Sequence, residues 1–264
     1  MKPKSIEMKQ ILFIILCLLS AISCGVLSNN NHQPEDKKVF LGYSKDSLYE
    51  VNYLNLRKRQ LRELPKEIGQ FTKLRGLDVS NNQLKEFPDE ILNLSDLGFL
   101  NGEKNVIVGF PKNFCKLKNL VNLNMPENKL RSLPDGISRL TKIKIINVNN
   151  NEISRLPPDL FSAPALEDFQ AYSNKISNFP ECAIEQDKLF WIGISGGDIH
   201  NIPASIVNLK NLEYLNLSDN QLTDIPETMS ELKKLRTLIL KGNPIENDVR
   251  QKIVKLLPNT VVKF

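Results

Sequence analysis

The chain has 264 residues, 41% of them hydrophobic and 25% charged, with a formal charge of +5. That composition excludes a wholly disordered chain and is enough for one substantial domain. The charge falls to about +3 without Lys2, Lys4, Lys9 and Glu7 of the first segment, too mild for a nucleic-acid binder.

Lys2, Lys4 and Lys9 precede an uncharged apolar run from Ile11 to Leu19, and small residues follow up to Cys24. This is the layout of an export signal over residues 1–23. Ala21 and Ser23 satisfy a small-x-small cleavage rule, with Cys24 directly after them. The stretch Leu19-Ser20-Ala21-Ile22-Ser23-Cys24 resembles the lipobox of bacterial lipoproteins in its relaxed, spirochaete form, because Ala21 stands where the strict pattern has Leu. The resemblance implies lipidation of Cys24 and anchoring in the inner or the outer membrane, since several acyl chains turn marginal membrane contact into stable attachment. Simple secretion and an uncleaved anchor are the alternatives, the latter needing the apolar run to extend through Leu27. Residues 24–38 are polar and without apolar periodicity, as expected of a flexible tether.

Residues 39–50 read as a short N-terminal cap, with Phe40, Tyr43, Leu48 and Tyr49 available to cover the first repeat. From Val51 to Lys234 the chain repeats every 23 residues in eight complete units of the form LxxLxLxxNxLxxLPxxIxxLxx. Good copies are Leu74 to Asp96, Leu120 to Lys142 and Leu212 to Lys234. Positions 1, 4 and 6 of each unit belong to a short strand with its apolar side chains in the core, so positions 3 and 5 face out. Position 9 is Asn82, Asn105, Asn128, Asn151, Asn174, Asn220 and Asn243, an amide column suited to backbone groups exposed where a strand ends. Arg59 and Gly197 break that column. Prolines from Pro65 to Pro226 open the second half of each unit and favour an extended or single-turn return path. The sixth unit puts Ala183 and Gln186 in apolar slots, which predicts looser packing there. Residues 235–264 carry a last strand and a capping helix from Ile245 to Leu257, ended by Pro258.

This pattern is similar to the leucine-rich-repeat family, in its 23-residue class bearing Leu-Pro-x-x-Ile, and the similarity runs from about residue 39 to the end. It implies an α/β solenoid: a horseshoe with a concave parallel sheet of nine strands, an irregular or short-helical convex side, and terminal caps. Cys115 and Cys182 then lie three repeats apart, on the order of 14 Å, which is too far for a disulfide. Two free thiols in a monomer are expected.

Function in such a solenoid is read in columns on the concave face. The one tryptophan, Trp191, falls at an outward position with Tyr214 one repeat on and Tyr172 one repeat back; Asp168 and Asn216 complete the patch. Small residues at Gly193, Ser195, Gly196 and Gly197 predict a shallow pocket beside it. Phe99 and Tyr53 form a second, weaker anchor region, with uncharged asparagines between. The concave columns hold Arg57, Lys58, Lys104 and Lys241 against Asp78, Glu103, Glu127, Asp168 and Asp219, so the face is nearly neutral and no nucleic-acid groove is expected. His32 and His200 have no partner at any recognisable spacing, and the glycines near 193 lack the Lys-Ser/Thr of a phosphate loop. The reading is a non-catalytic binding protein without cofactor or metal, exported from the cytoplasm. Its partner is expected to be a protein, with a glycan second. Exported bacterial members of the family imply adhesion or host interaction, and the alternative is an envelope protein holding another envelope component in the periplasm.

Overall fold

The computed structural model describes residues 50–264 and the backbone of 39–40 and 43–44. The export signal at 1–23, Cys24, the tether at 24–38 and the capping side chains of Phe40, Tyr43, Leu48 and Tyr49 lie outside the described residues. Val39–Phe40 (β1) and Tyr43–Ser44 (β2) form a short antiparallel pair, with Val39 opposite Ser44.

The repeats build one parallel sheet. Its strands are β3 (Tyr53–Asn55), β4 (Gly76–Asp78), β5 (Phe99–Asn101), β6 (Asn122–Asn124), β7 (Ile145–Asn147), β8 (Asp168–Gln170), β9 (Trp191–Gly193), β10 (Tyr214–Asn216), β11 (Thr237–Ile239) and β12 (Val261–Lys263), paired in chain order. Each occupies positions 3 to 5 of its unit, and from β3 to β11 the register advances by 23 residues, as in Tyr214 opposite Thr237. From β3 to β11 the middle residue of each points inward and is buried: Leu77, Leu100, Leu123, Ile146, Phe169, Ile192, Leu215 and Leu238 expose nothing. Each such side chain contributes about 2 kcal/mol of burial free energy, which no unit gains without its neighbours.

The sheet has ten strands, where the fixed period predicts nine. β12 follows the capping helix α1 (Asn247–Leu256) and pairs Val261 with Thr237, an offset of 24 residues. The helical unit is one residue longer than the others, which hides β12 from a 23-residue template. Ile253 and Leu257 close the core from the helix.

Behind the sheet, the Pro-x-x-Ile segments turn as short 3₁₀ helices such as Lys66–Gln70, Asp89–Asn93 and Ala204–Asn208, each entered through a proline with φ near the ring-imposed value. The expected ladder is present. Each asparagine accepts from an amide one repeat back and donates to strand-end carbonyls: Asn151 Oδ1 takes the Leu130 N–H at 2.9 Å, and its Nδ2 reaches Met125, Val148 and Asn149 carbonyls at 3.0 to 3.1 Å. The preceding residue adopts a left-handed conformation, as at Glu127 (φ 55), Asn150 (φ 55) and Ser173 (φ 54), which turns the amide under the strand. Gly197 leaves one rung out, and its backbone lies so close to Ile176 that a Cβ would strike the Ile176 carbonyl.

The irregular sixth unit fills its two apolar slots in another way. Cys182 takes the buried position that Ala183 occupies in the repeat pattern, and Gln186, 3% exposed, fills its slot with hydrogen bonds. Its Nε2 donates to the Ala163 and Leu166 carbonyls at 3.0 Å, and its Oε1 accepts from the Leu189 N–H at 3.0 Å. A polar side chain serves there because each of its atoms has a partner. The unit lacks a 3₁₀ turn, and Ile184 is left 52% exposed. Cys115 and Cys182 are free, as the repeat spacing predicts, and both are buried. Burial pushes the Cys182 thiol up to about 12 and raises that of Cys115.

Candidate binding site on the concave face

The sheet register sets Asp168, Trp191 and Tyr214 side by side, because all three are first residues of adjacent strands. Trp191 and Tyr214 stack face to face, with ring centroids 3.5 Å apart and planes 7° from parallel. Neighbouring parallel strands lie about 4.8 Å apart, so two flat rings at one column position can close to van der Waals contact. Both remain partly open to solvent.

Tyr172 reaches this pair from the turn after β8. Trp191 Nε1–H donates to the Tyr172 hydroxyl at 3.4 Å. The phenol ring lies over Gly193, where an added Cβ would collide with it. The small residues therefore do not leave the expected pocket beside Trp191; Gly193 is a seat, and Tyr172 fills it. Tyr53 covers Gly76 in the same way at the other end of the sheet. Asn216 spends its Oδ1 on the Ser218 N–H at 3.0 Å and the Ser218 hydroxyl at 2.8 Å. Burial pushes Tyr172 up to about 12 and raises Tyr214, with hydrogen bonding to Trp191 and more weakly to Asn216 opposing it at Tyr172, and to Asn216 at Tyr214.

Asp168 stands in the outward column, as expected, but its neighbours cover it. It is 9% exposed, and Gln170 Nε2 donates to its two carboxylate oxygens at 2.9 and 3.2 Å. Burial, with the nearby charge of Glu167 adding to it and the Gln170 hydrogen bond opposing, raises its pKa from 3.8 to about 7. Phe99 and Tyr53 share the column, but four and six strands away from Trp191, roughly 19 and 29 Å at the strand spacing, so they belong to no common patch with it.

Between these regions the asparagines bond to each other. Asn124 Nδ2 donates to Asn101 Oδ1, and Asn147 Nδ2 to Asn124 Oδ1, both at 2.9 Å. This second ladder takes up hydrogen-bonding capacity that the repeat pattern alone assigns to a ligand; three successive asparagines at position 5 are its signal. The charges nearby also neutralise one another, with Lys104 set between Glu103 at 3.2 Å and Glu127 at 3.4 Å. Among the described residues no group of three or more His, Cys, Asp or Glu is placed to hold a metal ion, and His200 pairs only with Asp198 at 3.3 Å.

A leucine-rich repeat region profile matches residues 26–125, and a leucine rich repeat profile matches 187–245, between them more than half of the chain. No curated protein sequence matches. Among solved structures, a leucine-rich-repeat protein of Leptospira interrogans is 34% identical with a TM-score of 0.78, covering 84% of this chain. The chain spans 57% of that protein's length. The leucine-rich-repeat ectodomain of a plant membrane receptor kinase from Arabidopsis thaliana, solved in complex with Casparian strip integrity factor 2, is 29% identical with a TM-score of 0.68. It covers 75% of this chain, which spans 25% of that one. The functional domain of InlJ from Listeria monocytogenes, at 19% identity and a TM-score of 0.59 over 83% of this chain and 50% of its own, shares the fold. The repeat, the ladder, the parallel sheet and these likenesses agree: the chain belongs to the leucine-rich-repeat family.

Proposed function

We propose that the chain is a non-catalytic, protein-binding module that works outside the cytoplasm, held to a membrane through lipidated Cys24 and engaging its partner as a monomer with the concave face. The observation that carries the reading is the Trp191–Tyr214 stack, a rigid aromatic pair part-exposed on a nearly neutral surface. Aromatic pairs of this kind anchor protein interfaces because they offer large contact area with little conformational entropy to lose. Tyr172 and Asn216 fix the pair, and Phe99 with Tyr53 offers a second, separate contact region. A protein partner suits the patch better than a glycan: each ring of the stack spends one face on the other, and sugars stack on open faces. The plant receptor ectodomain, solved with a named factor bound, supports the same use of the fold by likeness.

A pull-down with the chain as bait tests this. The double variant Trp191→Ala/Tyr214→Ala removes both anchors, each worth about 2 kcal/mol at an interface centre, so recovery of the partner falls at least about thirtyfold. Equal recovery with a folded variant refutes the patch. Protease shaving of intact cells separates the two settings: loss of the protein marks surface display of an adhesion or host-interaction type, and resistance despite expression marks an envelope partner in the periplasm.

A further inference from the structure

Asp168 is unlike the rest of the concave patch. It sits in the outward column between Ile145 and Trp191, yet it is 9% exposed and has only the neutral Gln170 amide as donor. No cation pairs with it among the described residues. The one nearby ammonium, Lys144 beside β7, is engaged by Glu167 at 2.7 Å. Glu167 just before its strand, Tyr172 in the following turn and Tyr214 on β10 are the other titratable groups around it; β9 brings Trp191, which does not titrate. A carboxylate shut away from water with no cation is costly in its charged form.

Three aromatics and a carboxylate are also the residue types that hold an ammonium group in an aromatic cage. The geometry here is that of a collapsed cage. Trp191 and Tyr214 lie on each other at 3.5 Å, Tyr172 covers Gly193, and its hydroxyl is taken by Trp191. Asp168 itself is shut in, with both carboxylate oxygens on the Gln170 amide, so a partner's cation has no open approach to them.

We propose that the patch receives an uncharged, apolar surface of a protein partner and that Asp168 takes up a proton as the partner covers it. The inference rests on the concave patch being the binding face. Covering the patch removes the remaining water from a carboxyl whose pKa burial already holds near 7, so the neutral form binds and the charged form resists. A cationic partner acts in the opposite sense, ionising Asp168 and releasing a proton.

Nile red, a neutral apolar dye, and tetramethylammonium serve as the two probes on the intact chain, the dye read by its own fluorescence. Nile red affinity is expected to fall about tenfold from pH 6 to pH 8, since a group titrating near 7 passes from mostly neutral to about nine-tenths charged over that interval. Asp168→Asn flattens the dependence, Trp191→Ala abolishes binding, and tetramethylammonium does not bind. Equal Nile red affinity at the two pH values, or the same pH dependence in Asp168→Asn, overturns the proton uptake while leaving the binding face standing. Tetramethylammonium binding that tightens with rising pH overturns the apolar partner. Nile red binding that survives Trp191→Ala overturns both the inference and the binding face. Circular dichroism checks that the variants fold; should either fail, the emission of Trp191, the sole tryptophan, must itself titrate with a midpoint near 7, and a flat emission profile from pH 5 to 9 overturns the proposal.

Discussion

Replacing Asn151 by alanine isolates what the asparagine ladder contributes. Its side chain makes four hydrogen bonds in a site 7% exposed, but their loss is unequal. The Val148 carbonyl keeps Asn174 Nδ2 at 3.0 Å, the Met125 carbonyl keeps Asn128 Nδ2 at 3.3 Å, and the Asn149 carbonyl keeps the Glu127 N–H at 2.9 Å. The Leu130 N–H has only Asn151, and Leu130 is fully buried. One orphaned buried donor costs about 2 kcal/mol, and the three weakened acceptors add about 1 kcal/mol together. A loss of about 3 kcal/mol lowers Tm by roughly 6 to 12 °C for a domain of this size. Asn82 is the comparison. It accepts from the exposed Arg59 N–H and the part-buried Leu61 N–H at 3.0 Å on a half-buried rung, where water replaces part of it, so Asn82→Ala costs about 1 kcal/mol. Thermal melts followed by circular dichroism read both. If Asn151→Ala melts within about 2 °C of the parent, or if Asn82→Ala costs as much, the ladder is not stabilising through buried amides.

Two further outcomes stem from burial. A carboxyl whose folded pKa is raised from 3.8 to about 7 makes the folded state bind more protons than the unfolded state across that window, so its contribution to stability declines as pH rises from about 4 to 7 and is level above. Asp168→Asn therefore melts higher than the parent at pH 8 and converges with it near pH 4; parallel curves across the range refute the burial of that charge. Cys115 and Cys182 are buried thiols with raised pKa values, so peptide mapping after brief alkylation of the native chain at pH 8 should find both unmodified, and full labelling only in denaturant. Rapid native labelling at either position contradicts the packing of its unit.

The 23-residue spacing by itself determined the fold, since only stacked units bury the faces that Leu77, Leu100 and their equivalents present, and it placed every strand from β3 to β11 and every rung of the ladder. It put Asp168, Trp191, Tyr214 and Tyr172 close together for the same reason: residues one period apart become neighbours. Contacts within the outward columns were beyond it. Whether Gly193 opens a pocket or seats Tyr172, whether Asn124 serves a ligand or Asn101, and whether Asp168 faces water depend on side-chain rotamers chosen by neighbours a whole repeat away. β12 escaped because its unit is longer by one residue, and Gln186 reads as a packing fault until the Ala163 and Leu166 carbonyls are seen to meet it. Periodicity fixes backbone positions, which every unit shares. The concave chemistry is set where the units differ, and only the tertiary structure decides how unlike side chains share the roughly 4.8 Å between strands.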